Sequence, residues 1–353
     1  MKITKVSFDR LELKLSEPYT IAYETIAKTT NFILKIETNA GFVGYGCAAP
    51  DIVVTEERPE QVEASITQTI IPYLLDKDPF TYARILNELK VLLDKKSSTL
   101  AMVDMALFDL ISRKAEVPLY KFLGGYRNSI PTSITIGIIP IDETIIQAGE
   151  YIKQGFFILK IKGGLNLEED IEKMMLIREK FPEVRIRFDG NQGYSVEEAI
   201  AFVEATNAIG IEIFEQPTKM SNESKLGLVT QKVNIPVMAD ESLKTLKDTF
   251  RLAQNEYIDM VNIKLMKVGG ISEGMHINSV AKSANLEAMV GCIDECGLGI
   301  SAGLHFALSR PNIHYADLDG HLDIINDPFK GLFTLSKGIL YPADAAGLGS
   351  IKW

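Results

Sequence analysis

Five ionisable residues each stand at the end of a short apolar run, and their spacing is nearly constant. Lys162, Asp189, Glu215, Asp240 and Lys264 follow one another at intervals of 24 to 27 positions. An interval of this length holds one strand and one helix, and a parallel β/α barrel brings the carboxyl ends of its strands to a single mouth. The spacing therefore predicts that three carboxylates converge between two lysines.

A divalent metal ion is the simplest explanation for three converging carboxylates. One charge at a strand end is better explained as a solvated cap or an ion pair, but five at one spacing are not. Buried carboxylates repel one another unless a cation lies between them. Because every ligand is a hard oxygen, Mg²⁺ is favoured over zinc. The pattern predicts a magnesium site made by Asp189, Glu215 and Asp240.

The two lysines are predicted to face each other across that site. A lysine amine works as a base near neutral pH only if its pKa falls from the ordinary value of about 10.4. Lys160 lies two residues before Lys162 and shares its strand face, so like-charge repulsion lowers the pKa of Lys162. We predict Lys162 as a base, Lys160 as its tuning residue, and Lys267 as a loop charge that faces solvent.

The segment from residue 130 to about residue 319 alternates short apolar strands with helical stretches. This alternation predicts βα units and an eight-stranded parallel barrel, hence an α/β fold. The strands are predicted at 132–137, 157–162, 184–189, 211–215, 236–240, 260–264, 287–291 and 313–317.

The first third of the chain has a different pattern. Segments 3–13, 31–38 and 42–47 alternate like antiparallel strands, and helical spacing follows to about residue 115. We predict an α+β domain at 1–124, the barrel at 125–325, and a Gly-rich, irregular segment at 326–353 that returns to the first domain. The glycines of Gly44-Tyr45-Gly46 and Gly297-Leu298-Gly299 are attributed to turns, and no nucleotide site is predicted.

The composition excludes several classes of protein. The 46% hydrophobic and 24% charged content is ordinary for a globular chain, and no apolar run approaches the roughly 20 residues that span a bilayer. A net charge of −10 opposes binding to nucleic acid or to acidic membranes. Three cysteines are too few for a secreted disulfide framework, and the N-terminus lacks a signal-peptide pattern. We predict a cytoplasmic enzyme with a small-molecule substrate.

Five motifs resemble the muconate-lactonizing subgroup of the enolase superfamily. They are KIK at 160–162, DGN at 189–191, EQP at 215–217, ADE at 239–241 and NIK at 262–264. The resemblance covers essentially the whole chain, and the N-terminal part is similar to the capping domain of that superfamily. It implies a (β/α)8 barrel, Mg²⁺ bound by the three carboxylates, and Lys162 and Lys264 as an acid/base pair. The shared step is proton abstraction beside a carboxylate, with Mg²⁺ stabilising an ene-diolate.

Two bases on opposite faces let a proton leave on one side and return on the other, which inverts a stereocentre. Asp317 and Asp319 follow the eighth predicted strand and, as alternate residues, share one face. A capped loop is the alternative. In the dipeptide epimerases of this subgroup a similar Asp-x-Asp binds the substrate ammonium, so the resemblance implies that role here. We predict a dipeptide epimerase that acts on the C-terminal residue.

One position departs from the alanyl-glutamate epimerases of this subgroup. Their flexible capping-domain loop carries an arginine that pairs with glutamate, whereas the similar stretch here offers Glu24. We therefore predict a second residue that is not acidic, in contact with Tyr19, Tyr23 and Ile26. Asp294, beside the loop after the seventh strand, is predicted to favour a cationic or polar first residue together with Asp317 and Asp319.

Other functions remain open at this stage. An o-succinylbenzoate synthase and an N-acylamino acid racemase would use the same lysines, but neither needs to bind a free ammonium group. A barrel that binds a peptide or a metal without catalysis is the alternative from a different class. A homo-oligomer is possible, and no interface can be identified from the sequence.

Overall fold

The alternating N-terminal segments form a three-stranded antiparallel sheet. The computed structural model describes residues 1–21 and 24–353, without the side chains of Glu17, Tyr19, Ile21 and Glu24. The strands, in the order β1-β2-β3, are β1 (Ile3–Ile21), β2 (Glu24–Thr38) and β3 (Val43–Ala48). All three predicted strands are present; β1 extends beyond its predicted end and β2 begins before its predicted start.

A group of helices follows this sheet and packs on it. The helices are α1 (Pro59–Ser65), α2 (Ile71–Leu74), α3 (Tyr82–Leu93), α4 (Ser97–Lys114) and α5 (Leu119–Phe122), with a π-helical turn at Ile66–Ile70 and a 3₁₀ turn at Pro79–Thr81. Helix α4 is buried along most of its length, because it lies between the sheet and the barrel. Gly44 and Gly46 allow this packing, since a Cβ at either position would collide with the α4 carbonyls of Ala106 or Met102.

Eight parallel strands form the barrel that the sequence predicts. They are β5 (Ile134–Ile136), β6 (Ile158–Lys162), β7 (Arg185–Asp189), β8 (Ile211–Glu215), β9 (Val237–Ala239), β10 (Met260–Lys264), β11 (Glu287–Gly291) and β12 (Ile313–Asp317). They are hydrogen-bonded in chain order, and a bridge between Thr132 and Ala316 completes the ring. Four strands have the predicted bounds, and the other four are shorter by one or two residues at one or both ends.

Helices cover the outside of the barrel. They are α6 (Ile141–Lys153), α7 (Leu167–Lys180), α8 (Val196–Thr206), α9 (Glu223–Thr230), α10 (Leu246–Gln254), α11 (Leu265–Val268), α12 (Ile271–Ser283) and α13 (Gly297–Ser309), with a 3₁₀ turn at Asn207–Ile209. None of the helices in the described part of the chain is long and apolar enough to cross a membrane.

Alternate residues of each strand point into the barrel, as the pleat of a strand requires. In β10, Met260 packs with methionines of β9 and β11 at the closed end, whereas Lys264 projects at the mouth. The methionine layer thus lies below Lys264, and the charged side chains that the sequence singles out stand at the carboxyl ends of the strands, where β/α barrels carry their active sites.

The C-terminal segment was predicted to be irregular, but it contains a hairpin. Strands β13 (Phe333–Ser336) and β14 (Ile339–Pro342) pair, and β14 also pairs with the short β4 (Ile130–Pro131). The prediction was wrong because a four-residue strand is too short to show alternation. Beyond the hairpin, the Leu348 amide donates to Asp109 of α4 and the Trp353 indole donates to Asp9 of β1.

Candidate active site

Three carboxylates meet where adjacent barrel strands end. Asp189 ends β7, Glu215 ends β8, and Asp240 follows β9, with 0 to 2% of each residue exposed. Asp189 and Glu215 are direct partners in the parallel register. Burial raises the pKa of Glu215 to about 7, with a contribution from the charge of Asp189. The three groups are thus close enough to repel one another, which is the situation that a cation relieves.

Lys160 is a buried counter-ion to these carboxylates. Its Nζ lies 2.7 Å from Glu215 Oε2, 2.9 Å from Asp317 Oδ2 and 3.1 Å from Asp189 Oδ2. Burial acts to lower the pKa of Lys160, but the surrounding carboxylates outweigh it and raise that pKa well above the ordinary value. Lys160 therefore remains an ammonium and neutralises part of the site.

Lys162 and Lys264 lie at opposite ends of the row of carboxylates. Lys162 on β6 places Nζ 3.2 Å from Asp189 Oδ2 and 3.2 Å from Asn191 Oδ1. Lys264 on β10 places Nζ 2.7 Å from Asp240 Oδ2. Strands β7, β8 and β9 separate β6 from β10, and each brings one carboxylate to the gap. The two amines consequently flank the carboxylates from different sides.

Lys264 and Lys160 have similar electrostatic surroundings. Burial acts to lower the pKa of Lys264, but the charge of Asp240 outweighs it and raises the pKa well above the ordinary value. In this arrangement Lys264 is an ammonium. The role of Lys160 as a tuner of Lys162 stays a prediction, although both side chains approach the same oxygen, Asp189 Oδ2.

Lys267 does not face solvent, and that prediction was wrong. Lys267 is only 1% exposed, and its Nζ lies 2.5 Å from Asp240 Oδ1 and 3.1 Å from the Asn262 carbonyl oxygen. The short helix α11 begins directly after Lys264 and turns Lys267 back over the end of β9. Burial acts to raise the pKa of Asp240, but Lys264 and Lys267 together hold it well below its usual range.

The donor set fits a hard divalent cation. Within the described residues, no three His, Cys, Asp or Glu side chains are arranged as a ready ligand cluster, because lysine ammonium groups hold the carboxylate oxygens. Glu241, next to Asp240, nevertheless has both carboxylate oxygens buried without a hydrogen-bond partner. Burial and the charges of Asp240 and Asp189 raise the pKa of Glu241 to about 8. This excess of buried carboxylates is the chemistry that Mg²⁺ satisfies.

Asp317, at the end of β12, and Asp319, two residues later, line the same cavity as the three lysines. Asp317 Oδ1 accepts a hydrogen bond from Ser133 Oγ at 2.7 Å, and Asp319 Oδ2 accepts one from the Thr135 amide at 2.7 Å. Burial acts to raise the pKa of Asp317, but Lys160 and the Ser133 hydrogen bond outweigh it and lower the pKa to about 2. Burial and the charge of Asp317 raise the pKa of Asp319 to about 7.

These groups line a cavity of about 580 Å³. Lys160, Lys162 and Lys264 line its inner end, and we call these lysines, together with the buried carboxylates that they contact (Asp189, Glu215 and Asp240), the floor. All the other lining residues of the Asp, Glu, Lys and Arg types are acidic: Glu143, Glu150, Asp294, Asp317, Asp319 and Asp323. Glu143 and Glu150 lie seven residues apart on α6, which places them on one helix face. The cavity is therefore lined by lysines at its floor and by acidic side chains around its opening, which we call the rim.

The predicted specificity residues fall in different places. Asp294 lines the cavity beside Ile293, as its position after β11 suggested. Ile26 pairs with Tyr19 across the β1–β2 ladder and packs on the larger hydrophobic core. Tyr23 lies outside the described residues, and the side chains of Tyr19 and Glu24 are likewise not described. Contacts for those three stay predictions.

Two family profiles match the chain. The profile for the mandelate racemase / muconate lactonizing enzyme N-terminal domain matches residues 3–124, and the profile for the enolase C-terminal domain-like family matches residues 143–350. The chain belongs to the mandelate racemase / muconate lactonizing enzyme family. The resemblance read from the five motifs and the predicted barrel are thereby confirmed.

Several members of the family are similar over their whole length. The L-Lys-D/L-Arg epimerase of Desulforapulum autotrophicum is 39% identical, covering 99% of each chain. The solved structure of a substrate-liganded L-Ala-D/L-Glu epimerase from Bacillus subtilis is 36% identical with a TM-score of 0.96, covering 99% of this chain and 98% of that one. A dipeptide epimerase from Enterococcus faecalis V583, in complex with Mg and L-Leu-L-Tyr, is 36% identical with a TM-score of 0.94, covering 99% of each chain.

Sequence reasoning missed several residues of this family site. Glu241 lies within the ADE motif, so its position was visible but its burial was not. Three polar residues are hydrogen-bonded to a charged group of the site: Asn191 to Lys162, Asn262 to Glu215 and Ser133 to Asp317. Asn191 and Asn262 occur in the DGN and NIK motifs, whereas no sequence signal singles out Ser133.

Proposed function

We propose that this protein is a Mg²⁺-dependent dipeptide epimerase, an isomerase that inverts the α-carbon of the second residue through an ene-diolate. The observation that carries the proposal is the placement of Lys162 and Lys264 on opposite sides of three buried carboxylates. Family members 36 to 39% identical to the chain are dipeptide epimerases, which supports it.

Asp189, Glu215 and Asp240 would hold the Mg²⁺, whose chemistry when bound is to offset the negative charge that develops on the substrate carboxylate. The complex of the Enterococcus faecalis enzyme with Mg supports this choice of ion. Lys160 supplies a permanent positive charge within 3.1 Å of Asp189 and Glu215, so the floor of the cavity is not overloaded with negative charge.

The reaction needs one proton acceptor and one proton donor on opposite faces of the α-carbon. An amine of the pair, in its neutral form, takes the α-proton, and the opposite ammonium returns a proton to the other face. Inversion follows from this geometry. Because the two lysines exchange roles for the reverse reaction, the same site serves both stereoisomers.

The substrate ammonium is assigned to Asp317 and Asp319. The two carboxylates lie at the side of the cavity next to β5, since Ser133 and Thr135 bond them. This assignment puts the dipeptide N-terminus near β12 and its C-terminal carboxylate on the basic floor. The α-carbon of the second residue then lies between the lysines.

The acidic rim supports a cationic first residue. Helix α6 directly follows β5, so Glu143 and Glu150 are neighbours of the proposed ammonium site, and Asp323 lies four residues beyond Asp319. A lysine or arginine side chain would meet complementary charge there. The L-Lys-D/L-Arg activity of the Desulforapulum relative supports the same preference. For the second residue we propose a non-acidic side chain, because the sequence places Glu24 where acid-binding relatives have arginine.

The test is a panel of L,L-dipeptides incubated with the protein and Mg²⁺ in D₂O. We expect deuterium uptake at the second α-carbon with inversion, fastest when the first residue is lysine or arginine. No exchange with any dipeptide would refute the epimerase. Exchange that is fastest for a glutamate second residue would refute the specificity alone.

An N-acylamino acid racemase is the second candidate, because it uses the same two lysines. A racemase of N-succinyl-L-Arg/Lys from Bacillus cereus is 29% identical. Asp317 and Asp319 disfavour an acylated amine, which has no positive charge to pair with them, and they disfavour an o-succinylbenzoate synthase in the same way. N-Succinyl-arginine in the panel separates these activities. Binding of a dipeptide without any exchange would indicate the non-catalytic barrel.

We further propose the division into a capping domain at 1–124, a barrel at 125–325 and a returning segment at 326–353. The matched range 3–124 supports the first boundary. A cytoplasmic location and the absence of a nucleic-acid partner are proposed from the three free cysteines and the net charge of −10. A homo-oligomer is left as a proposal for light scattering to test.

A further inference from the structure

The loop at 292–296, between β11 and α13, touches the cavity and the proposed ammonium site. Cys292, Ile293 and Asp294 line the cavity. The thiol of Cys292 accepts a hydrogen bond from the Gly320 amide at 3.3 Å and donates to Asp319 Oδ1 at 3.9 Å. A shift of this loop would therefore move groups that surround the substrate N-terminus.

One side chain from the N-terminal sheet holds this loop at two positions. Asn31 of β2 is 0% exposed. Its Nδ2 donates to the Asp294 carbonyl at 3.1 Å, and its Oδ1 accepts from the Cys296 amide at 2.8 Å. Its Nδ2 also donates to Thr29 Oγ1 at 3.1 Å, and Cys47 Sγ lies 3.6 Å from Oδ1.

Only an amide meets these demands with one small side chain. The Asp294 carbonyl needs a donor and the Cys296 amide needs an acceptor, and Asn31 meets them with two different atoms. An ionised carboxylate has no donor, a methyl group has neither, and a hydroxyl has one oxygen for both partners. A buried group that loses its partner keeps the full cost of desolvation. The loop would relax away from the sheet to find water. Thr29 Oγ1 donates to the same carbonyl at 2.9 Å and acts as a second tie, which leaves the Cys296 amide untouched.

We infer that Asn31 is a positioning residue for substrate binding: it ties loop 292–296 to the N-terminal sheet and so sets the shape of the cavity around Asp319. The kinetic consequence rests on the proposed dipeptide epimerase activity, whereas the tie itself does not. Asn31 touches none of the carboxylates or lysines of the floor through any described contact. We therefore expect its loss to weaken substrate binding and to leave the proton-transfer step nearly intact.

The test compares Asn31→Asp with Asn31→Ala in the full-length protein. The first keeps an acceptor for Cys296 and loses the donor for Asp294, and the second loses both. Asn39→Asp is the matched control, because Asn39 is an exposed asparagine in the turn directly after β2, and its side-chain Oδ1 accepts a hydrogen bond from the Lys2 amide, far from the loop. Hydrogen–deuterium exchange over residues 292–297 reports the tie, and KM and kcat for the best dipeptide of the panel report its consequence.

We expect Asn31→Asp to raise KM about tenfold, with kcat within about twofold of the parent. Exchange over 292–297 should rise in Asn31→Asp and rise further in Asn31→Ala, while Asn39→Asp matches the parent in both measurements. An unchanged KM, or a fall in kcat without a change in KM, overturns the inference. Unchanged exchange over the loop overturns the tie as well.

Thr29→Val keeps the inference testable if the Asn31 variants do not fold. It removes one donor to the Asp294 carbonyl and leaves the side-chain amide of Asn31 in place. KM should therefore rise about threefold, less than in the Asn31 variants. A KM equal to that of the parent would contradict the inference. If the parent turns over no dipeptide, the proposed function fails, and the exchange measurement still decides whether the loop is tied.

Discussion

The floor and the rim of the cavity carry their charges in opposite ways. On the floor, Asp189, Glu215 and Asp240 are buried, and a lysine Nζ lies within 3.2 Å of each. On the rim, Glu143 and Glu150 are exposed, with no described ion pair or hydrogen bond to either carboxylate. A buried charge must be matched within the protein, whereas an exposed charge is free to meet a ligand. The floor is therefore suited to chemistry and the rim to selection.

Substitutions on the floor should lower the rate of epimerisation more than substitutions on the rim, and substitutions of its lysines should lower it most. Lys162→Ala and Lys264→Ala should each lower the rate of epimerisation about 10³-fold, because general acid–base groups contribute 10² to 10⁴-fold. Each variant should still exchange the α-proton of one stereoisomer, since the opposite amine remains. The measurement is deuterium uptake followed separately for the L,L and L,D dipeptides.

Lys225→Ala, an exposed lysine on α9, is the control for these variants and should match the parent. If both lysine variants keep more than about a tenth of the parent rate, the lysines are not the acid/base pair.

Removal of the metal should have the next largest effect. Chelation should lower epimerisation at least about 100-fold, and Mg²⁺ should restore it, because the developing charge is no longer offset. Saturating Mg²⁺ at about 100 times its Kd should also stabilise the fold by about 2.7 kcal/mol. Thermal unfolding with and without Mg²⁺ measures this stabilisation without any substrate.

Glu215→Gln should lose that response to Mg²⁺, whereas Glu204→Gln on the barrel exterior should keep it. A melting temperature that is independent of Mg²⁺ in the parent would argue against a metal on the floor.

Asp319 lies between the two regions, and we expect an intermediate effect. Asp319→Asn should raise KM about 10 to 100-fold, because a hydrogen bond to a charged group contributes about 1.5 to 3 kcal/mol. Burial and the charge of Asp317 raise the pKa of Asp319 to about 7, and only the ionised form pairs with an ammonium. KM should therefore rise as the pH falls below about 7, in a profile measured with buffers of constant ionic strength.

The Asp319→Asn variant lacks the titrating carboxyl group, so its KM should not depend on pH in this way. A parent KM that stays constant across that interval would show that Asp319 does not pair with the substrate.

The rim should show the smallest effects. Glu143→Gln and Glu150→Gln should each lower kcat/KM by a factor of about 1.4 to 5 for a dipeptide with a lysine first, because exposed ion pairs contribute about 0.2 to 1 kcal/mol. The effect should shrink with added salt. Rates for a dipeptide with an alanine first should not change.

Asp142→Asn provides the comparison on the same helix, because Asp142 is exposed and does not line the cavity. Equal losses for lysine-first and alanine-first dipeptides would mean that the rim does not select by charge.

The framework of the floor could be predicted because it is local. A strand with a charge at its end is visible in five or six residues, and β8, β10, β11 and β12 have the bounds expected from pattern alone. Lys267 could not be predicted, since its burial depends on the turn of α11 over β9. Glu241 appeared as an ordinary motif residue, because nothing nearby in sequence shows that both its oxygens lack partners.

The sequence by itself determined the order of strands and helices and the charged residue at each strand end, because both depend on short-range periodicity. Only the tertiary structure decided which charges pair, that Lys160 contacts three carboxylates at once, and that Asn31 reaches a loop 263 positions away. The physical reason is that pairing depends on distance and desolvation in three dimensions, and closure of the barrel brings together groups that no sequence window contains.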